Sequence, residues 1–169
     1  MKEELGESFD FLMKVLIGAQ FAHIETNPEH PLTGHFISYR ESMINWCPVG
    51  RNANQEQRQS FIQYDLKTDM RYRFMIGLQA MLDKAAGKDK VKFALGGNTS
   101  VDIYPEGWDK TYALKHFPDH DFWFVGDRCE LNGNDHTIYE LLKENNRSFK
   151  TEGPGQTLLI IEQIIKSIV

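Results

Sequence analysis

The chain has 169 residues, of which 41% are hydrophobic and 12% aromatic, with a formal charge of −5. That is enough apolar material for a packed core, and the acidic balance excludes a general nucleic-acid binder, whose phosphate contacts need a basic surface. Cys47 and Cys129 are too few and too far apart for a disulfide scaffold or a zinc site. No stretch is long enough to span a membrane and the charged opening is unlike a signal peptide, so a cytoplasmic protein is expected.

Leu5, Phe9, Leu12, Met13 and Leu16 recur on one helical face and predict a helix from Glu3 to about Phe21. Pro28 and Pro31 end it in a loop. His35–Arg40 and Ser42–Cys47, rich in Phe, Ile, Tyr and Trp and nearly contiguous, predict a β-hairpin. Helices are predicted over Asn54–Asp65 and Thr68–Ala86, the second with Met70, Phe74, Leu78, Met81, Leu82 and Ala85 as its core stripe. A turn at Gly87–Lys90 leads to strands Val91–Leu95 and Thr99–Tyr104, joined at Gly96-Gly97. Segregated helices and antiparallel strands imply an α+β layer with helices on one face of the sheet. After Pro105 the texture changes. Helix Trp108–Phe117, strand Asp121–Val125, helix His136–Lys143, strand Arg147–Lys150 and helix Thr157–Val169 alternate as in a parallel α/β sheet, and Leu158, Ile161, Ile165 and Ile168 share one face of the last. A boundary is therefore expected near Pro105. Two parallel strands are too few for an independent domain.

Several residues could carry chemistry, though each also has an ordinary structural reading. Asp127, at the end of the apolar run Phe124-Val125-Gly126, stands where a strand could present a carboxylate to a hard cation such as Mg²⁺, with Asn134 and Asp135 nearby in sequence; equally it could cap a helix. Lys110 opens a helix after a strand, where it could hold a phosphoryl group or be a plain exposed lysine. Arg40, Arg51 and Arg58 cluster in an acidic chain and could grip a phosphate, or could be solvated surface. In Thr99–Tyr104, Ser100 and Asp102 share the face opposite Thr99, Val101 and Ile103, so they line either a cleft or a polar outer surface.

Taken together these features resemble the phosphomannomutase family of the haloacid dehalogenase superfamily. Tyr39-Arg40-Glu41-Ser42-Met43-Ile44-Asn45-Trp46-Cys47-Pro48-Val49-Gly50-Arg51 is similar to the family's aromatic-Arg, turn, Met-aliphatic-Asn, Pro-aliphatic-Gly-Arg pattern. Glu56-Gln57-Arg58 is similar to its third arginine helix. Ser100-Val101-Asp102-Ile103-Tyr104-Pro105-Glu106-Gly107-Trp108-Asp109-Lys110 resembles its Ser-x-Asp-aliphatic-aromatic-Pro-acidic-Gly-Trp-Asp-Lys stretch. Phe124-Val125-Gly126-Asp127 and Gly133-Asn134-Asp135-His136 resemble its last acidic motif. The resemblance runs almost end to end.

The resemblance implies an α+β cap over residues 1–105, for substrate binding and homodimerisation, joined to part of an α/β Rossmann-like core over residues 106–169. It implies interconversion of mannose 6-phosphate and mannose 1-phosphate through a phosphoaspartate and a hexose bisphosphate, in the supply of GDP-mannose for glycosylation. Arg40, Asn45, Arg51, Arg58, Ser100 and Asp102 would bind the hexose phosphate or bisphosphate. Lys110 would stabilise the transferring phosphoryl group, and Asp127, Asn134 and Asp135 would hold Mg²⁺. No nucleic-acid or membrane partner is implied.

Two departures qualify this. The family's Asp-x-Asp-Gly-Thr motif, which carries the nucleophile and the acid/base aspartate, occurs nowhere in the 169 residues. Met1 stands where the family's first cap helix begins, so a missing N-terminal core segment and an inactive isolated chain are expected. Thr137 and Leu141 stand where acidic residues are usual, which argues against a second cation site. A non-catalytic sugar-phosphate-binding or dimerising module and a sugar phosphatase are the competing readings. The arginine set favours the mutase, because a bisphosphorylated ligand needs a second phosphate grip. With its sheet incomplete, Phe122–Val125 should present a bare edge that promotes association.

Overall fold

The structure is a computed structural model that describes residues 1–87 and 90–168. Part of the turn expected at Gly87–Lys90, and Val169 of the last helix, lie outside those residues. Two compact units divide the chain, Met1–Glu106 and Gly107–Val169.

In the first unit, α1 (Lys2–Leu5) and α2 (Glu7–Thr26) replace the single helix predicted over Glu3–Phe21. Gly6, at φ 53° and ψ −129°, breaks the helical path with a conformation that costs glycine little. Phe9, Leu12 and Leu16 are buried, and the stripe continues through Ala19, Gln20 and His23, while Phe21 is exposed. Strands β1 (Ile37–Tyr39), β2 (Ile44–Trp46), β3 (Val91–Gly96) and β4 (Ser100–Pro105) form an antiparallel sheet in the order β1-β2-β4-β3. The last strand in sequence thus enters beside the first hairpin. Arg40 and Ser42 fall in the hairpin turn rather than in strands, where Arg40 N–H donates to the Met43 carbonyl at 2.8 Å.

Helix α3 (Gln55–Thr68) starts at a capping box: Asn54 Oδ1 accepts from Gln57 N–H at 2.9 Å, and Gln57 Oε1 accepts from Asn54 N–H at 2.9 Å. Asp69, left-handed at φ 50°, separates it from α4 (Met70–Ala86). Trp46 fixes where the helices lie. Its indole N–H donates to Gln20 Oε1 of α2 at 2.8 Å, and its ring stands 5.4 Å from that of Phe74 in α4. Both helices therefore cover the face of the sheet that carries Ile44, Trp46, Val101 and Ile103, all fully buried. The stripe of α4 is rotated from the prediction. Met70, Leu78 and Leu82 are buried and Phe74 partly so, but Met75 takes a core place while Met81 and Ala85 are exposed. Cys47, Val49, Ala53, Phe61 and Met70 close a cluster against α3.

The second unit holds β5 (Phe124–Gly126) and β6 (Ser148–Lys150), a parallel pair, with α5 (His136–Lys143) in the crossover and α6 (Pro154–Ile168) after it. The helix predicted over Trp108–Phe117 is a 3-10 helix, Lys110–His116, capped where Asp109 Oδ1 accepts from Thr111 N–H at 2.9 Å. The strands are shorter than predicted at their starts, where Asp121 and Arg147 form an ion pair at 2.5 Å instead. The apolar face of α6 exists but is uncovered: Leu158, Ile161, Ile165 and Ile168 are exposed and Ile160 is the buried residue. Among the described residues no helix is long and apolar enough to cross a membrane.

Candidate functional site

Strand alternation places Asn45 and Asp102 on the sheet face opposite α2 and α4, and the register pairs them directly. Asn45 is 3% exposed and Asp102 9%, and Asn45 Nδ2 donates to Asp102 Oδ1 at 2.7 Å. Buried polar groups must be partnered, and here they partner each other. Arg51 joins them from the loop after β2, its Nη1 donating to Asn45 Oδ1 at 2.5 Å. Arg58, in the first turns of α3, donates from Nε to the Ala53 carbonyl and from Nη2 to the Arg51 carbonyl, each at 3.0 Å. It thereby braces the loop that carries Arg51. Ser100 Oγ donates to the Gly96 carbonyl at 2.6 Å. Arg40 stands apart in the exposed hairpin turn.

Among the described residues no carboxylate forms an ion pair with Arg40, Arg51 or Arg58, whereas Arg71, Arg128 and Arg147 are each carboxylate-paired. Unpaired guanidinium groups beside buried hydrogen-bonding side chains suit an anionic ligand with hydroxyl groups. The sheet face that carries Asn45, Ser100 and Asp102 is no plain polar outside, since all three are buried.

Arg71 supports the site although no sequence motif marks it. Buried in the first turn of α4, it donates from Nε to Asp65 Oδ2 at 2.8 Å, and from Nη1 to the carbonyls of Ser100 at 2.9 Å and Gly97 at 3.0 Å. It ties the α3–α4 junction to the turn that leads into Ser100 and Asp102. An arginine within an apolar helical pattern carries no motif that announces such a role.

In the second unit, Lys110 forms an ion pair with Asp135, which is 2% exposed and precedes α5. The other Asp135 oxygen accepts from Arg128 N–H at 3.0 Å. Gly126 makes room for it: a Cβ there would lie 2.5 Å from Asp135 Oδ2. Cys129 is buried between β5 and α5, and burial, with the Asp135 charge as the next cause, pushes its thiol up to about 11, so it is no nucleophile at neutral pH. Asp127 is exposed at the end of β5 and Asn134 is half-buried. Among the described residues no group of three His, Cys, Asp or Glu side chains could hold a metal ion. Both oxygens of Asp135 accept hydrogen bonds, from Lys110 and from Arg128 N–H, and Asp127 and Asn134 are further oxygen-bearing residues between β5 and α5. That suits a weakly held, mostly hydrated hard cation rather than an all-protein cage.

Residues 5–167 match the family described as Eukaryotic phosphomannomutase. The chain belongs to that family. It is 37% identical over 137 residues to a "Probable phosphomannomutase" of Caenorhabditis elegans, covering 80% of this chain and 52% of that protein. It is 34% identical over 134 residues to the phosphomannomutase of Saccharomyces cerevisiae, covering 78% and 50%. The chain thus spans about half the length of these curated relatives. Among solved structures, an N-terminally truncated, IMP-bound IMP-nucleotidase of Plasmodium falciparum aligns with a TM-score of 0.55 at 12% identity, over 94% of this chain and 38% of that one, a likeness of fold alone.

Proposed function

We propose that these residues form the sugar-phosphate cap and the C-terminal core segment of a cytoplasmic phosphomannomutase, an isomerase that interconverts mannose 6-phosphate and mannose 1-phosphate for GDP-mannose synthesis. The observation that carries this reading is that, among the described residues, Arg40, Arg51 and Arg58 pair with no carboxylate, while Arg51 is anchored to the buried Asn45–Asp102 pair. Guanidinium groups bind the phosphate of the hexose phosphate or bisphosphate, and Ser100 and Asp102 meet sugar hydroxyls. In the second unit Lys110 steadies the phosphoryl group in transfer, and its ion pair with Asp135 holds the ammonium in place.

Asp127 and Asn134 would hold Mg²⁺, which, when bound, neutralises charge on the transferring phosphoryl group. Asp135 orients the Lys110 ammonium, and Gly126 leaves space for that carboxylate. The family's nucleophile belongs to an Asp-x-Asp-Gly-Thr motif, which does not occur among these 169 residues, so the role proposed for this segment is substrate binding and charge stabilisation rather than nucleophilic attack. A homodimer through the first unit is supported by the apolar groove of about 860 Å³ between α2 and α4, lined by Gly18, Ala19, Ala22 and Gly77. Ile17, Phe21, Ile76 and Met81 are exposed on the same two helices.

The test is calorimetric titration with mannose 1-phosphate. Arg40→Ala removes an exposed guanidinium with no side-chain partner among the described residues and should weaken binding by about 1.5–3 kcal/mol, the worth of a charged hydrogen bond. Arg58→Ala should weaken it at least as much, because the Arg51 loop also loses its brace. Unchanged affinity in both variants rejects the reading. Turnover by these residues alone, with hexose bisphosphate and Mg²⁺, would point to a nucleophile elsewhere.

A further inference from the structure

Asn45 is used at both ends of its amide, and only one orientation of that amide is chemically possible. A carboxylate accepts and cannot donate; a guanidinium donates and cannot accept. Nδ2 must therefore face Asp102 and Oδ1 must face Arg51, which is the arrangement seen, at 2.7 Å and 2.5 Å. An uncharged amide is the side chain that can join the two groups without bringing the charges into direct contact. A direct Arg51–Asp102 pair would consume the guanidinium; the amide between them engages Nη1 and leaves the rest of the group for an anion. Gly96 completes the device. A Cβ at that position would sit 2.7 Å from Asp102 Oδ1 and 2.9 Å from Oδ2, so a larger residue would push the carboxylate away from Asn45.

We propose that Asn45 is a positioning residue rather than a ligand, setting the separation between the Arg51 guanidinium and the Asp102 carboxylate, and that Gly96 is the second part of the same relay. A hexose phosphate then meets its phosphate contact and its hydroxyl contact at a fixed spacing, so the relay tunes which hydroxyl geometry fits. The ligand side of this proposal rests on the hexose-phosphate reading above; the relay itself does not. A ligand role for Asn45 is disfavoured by its burial, and by both amide atoms being taken.

The test has two arms on the same chain. In arginine-detected NMR, the Arg51 guanidinium of the wild type should show slowed rotation about its Cζ–N bonds, with resolved Nη resonances. Asn45→Ala should collapse these to the averaged signal of a free arginine such as Arg40. Averaged Arg51 resonances in the wild type, or resolved ones that survive Asn45→Ala, overturn the relay, and the wild-type spectrum alone decides if the variant does not fold. In calorimetry, Asn45→Ala and Gly96→Ala should each weaken mannose 1-phosphate binding by about tenfold. Adding Asn45→Ala to Arg51→Ala should cost clearly less than that tenfold, since the partner has already gone. Fully multiplicative losses overturn the proposal. No binding of mannose 1-phosphate by the wild type, with Arg51 still restrained, would reject the hexose-phosphate reading and keep the relay.

Discussion

Acid should loosen the first unit through one histidine. His23 on α2 is fully buried, its ring 6.1 Å from Phe61 and 5.4 Å from His30, and its Nε2 has no hydrogen-bond partner among the described residues. Burial, with the neighbouring His30 as the second cause, lowers its pKa to about 4. Burial also lowers His30, against the raising effect of Glu29. Tyr64 of α3 packs on His30 at 4.2 Å and Asn27 lies 3.5 Å from His23 Nδ1, and among the described residues no carboxylate pairs with the His23 ring. An unfolded chain protonates this side chain near pH 6.5 and the folded one only near pH 4, so the unfolded state binds the extra proton between these values. Stability is thus complete above about pH 6.5 and falls as the pH drops toward 4, by about 2 kcal/mol at pH 5 and about 3 kcal/mol at pH 4 from this group. Urea unfolding followed by circular dichroism at pH 7.5, 6, 5 and 4 should show that decline in the wild type. The decline should be smaller by about those amounts in His23→Leu. Parallel pH profiles for the two proteins would refute the assignment.

Other outcomes follow from the same packing. Arg71→Ala leaves the Asp65 carboxylate without its guanidinium and frees the Ser100 and Gly97 carbonyls; urea unfolding should register a loss of about 3–5 kcal/mol. Gly126→Ala drives a methyl group to 2.5 Å from Asp135 Oδ2 and 2.6 Å from the Phe124 ring. It should cost about 1–3 kcal/mol in the same assay, and a wild-type midpoint would contradict the close approach. Sedimentation velocity should show concentration-dependent association beyond a discrete dimer, reduced by Leu158→Glu with Ile165→Glu, because both side chains are exposed on α6.

Where the sequence carries a period or a turn signal the elements form, with shifted ends: the strand expected over Ser42–Cys47 runs Ile44–Trp46, the helix expected over Asn54–Asp65 runs Gln55–Thr68, and the last helix, expected over Thr157–Val169, runs Pro154–Ile168. What failed depended on tertiary context. Periodicity could not tell that Met75 rather than Met81 would face the core, because both lie on apolar turns and the choice depends on how α4 sits against β3 and β4. The Gly6 break escaped notice because a lone glycine inside an amphipathic run is usually tolerated. At the site, residue types were legible but connections were not. Asn45 and Asp102 are far apart in sequence, and their hydrogen bond exists only because β4 enters beside β2. The Lys110–Asp135 pair likewise needed the crossover that brings α5 back over the 3-10 helix.

The capping box at the start of α3 has a bearing on how an anion is held. Asn54 and Gln57 satisfy one another's backbone groups there, so the amide of Gln57 is not on offer to a phosphate. Whatever oxyanion settles near Arg58 is gripped by guanidinium side chains that are themselves braced, rather than by the main-chain dipoles of the helix start. With Arg51 and Arg58 already tied to their neighbours, the rotamer entropy still to be lost on binding falls mainly on Arg40.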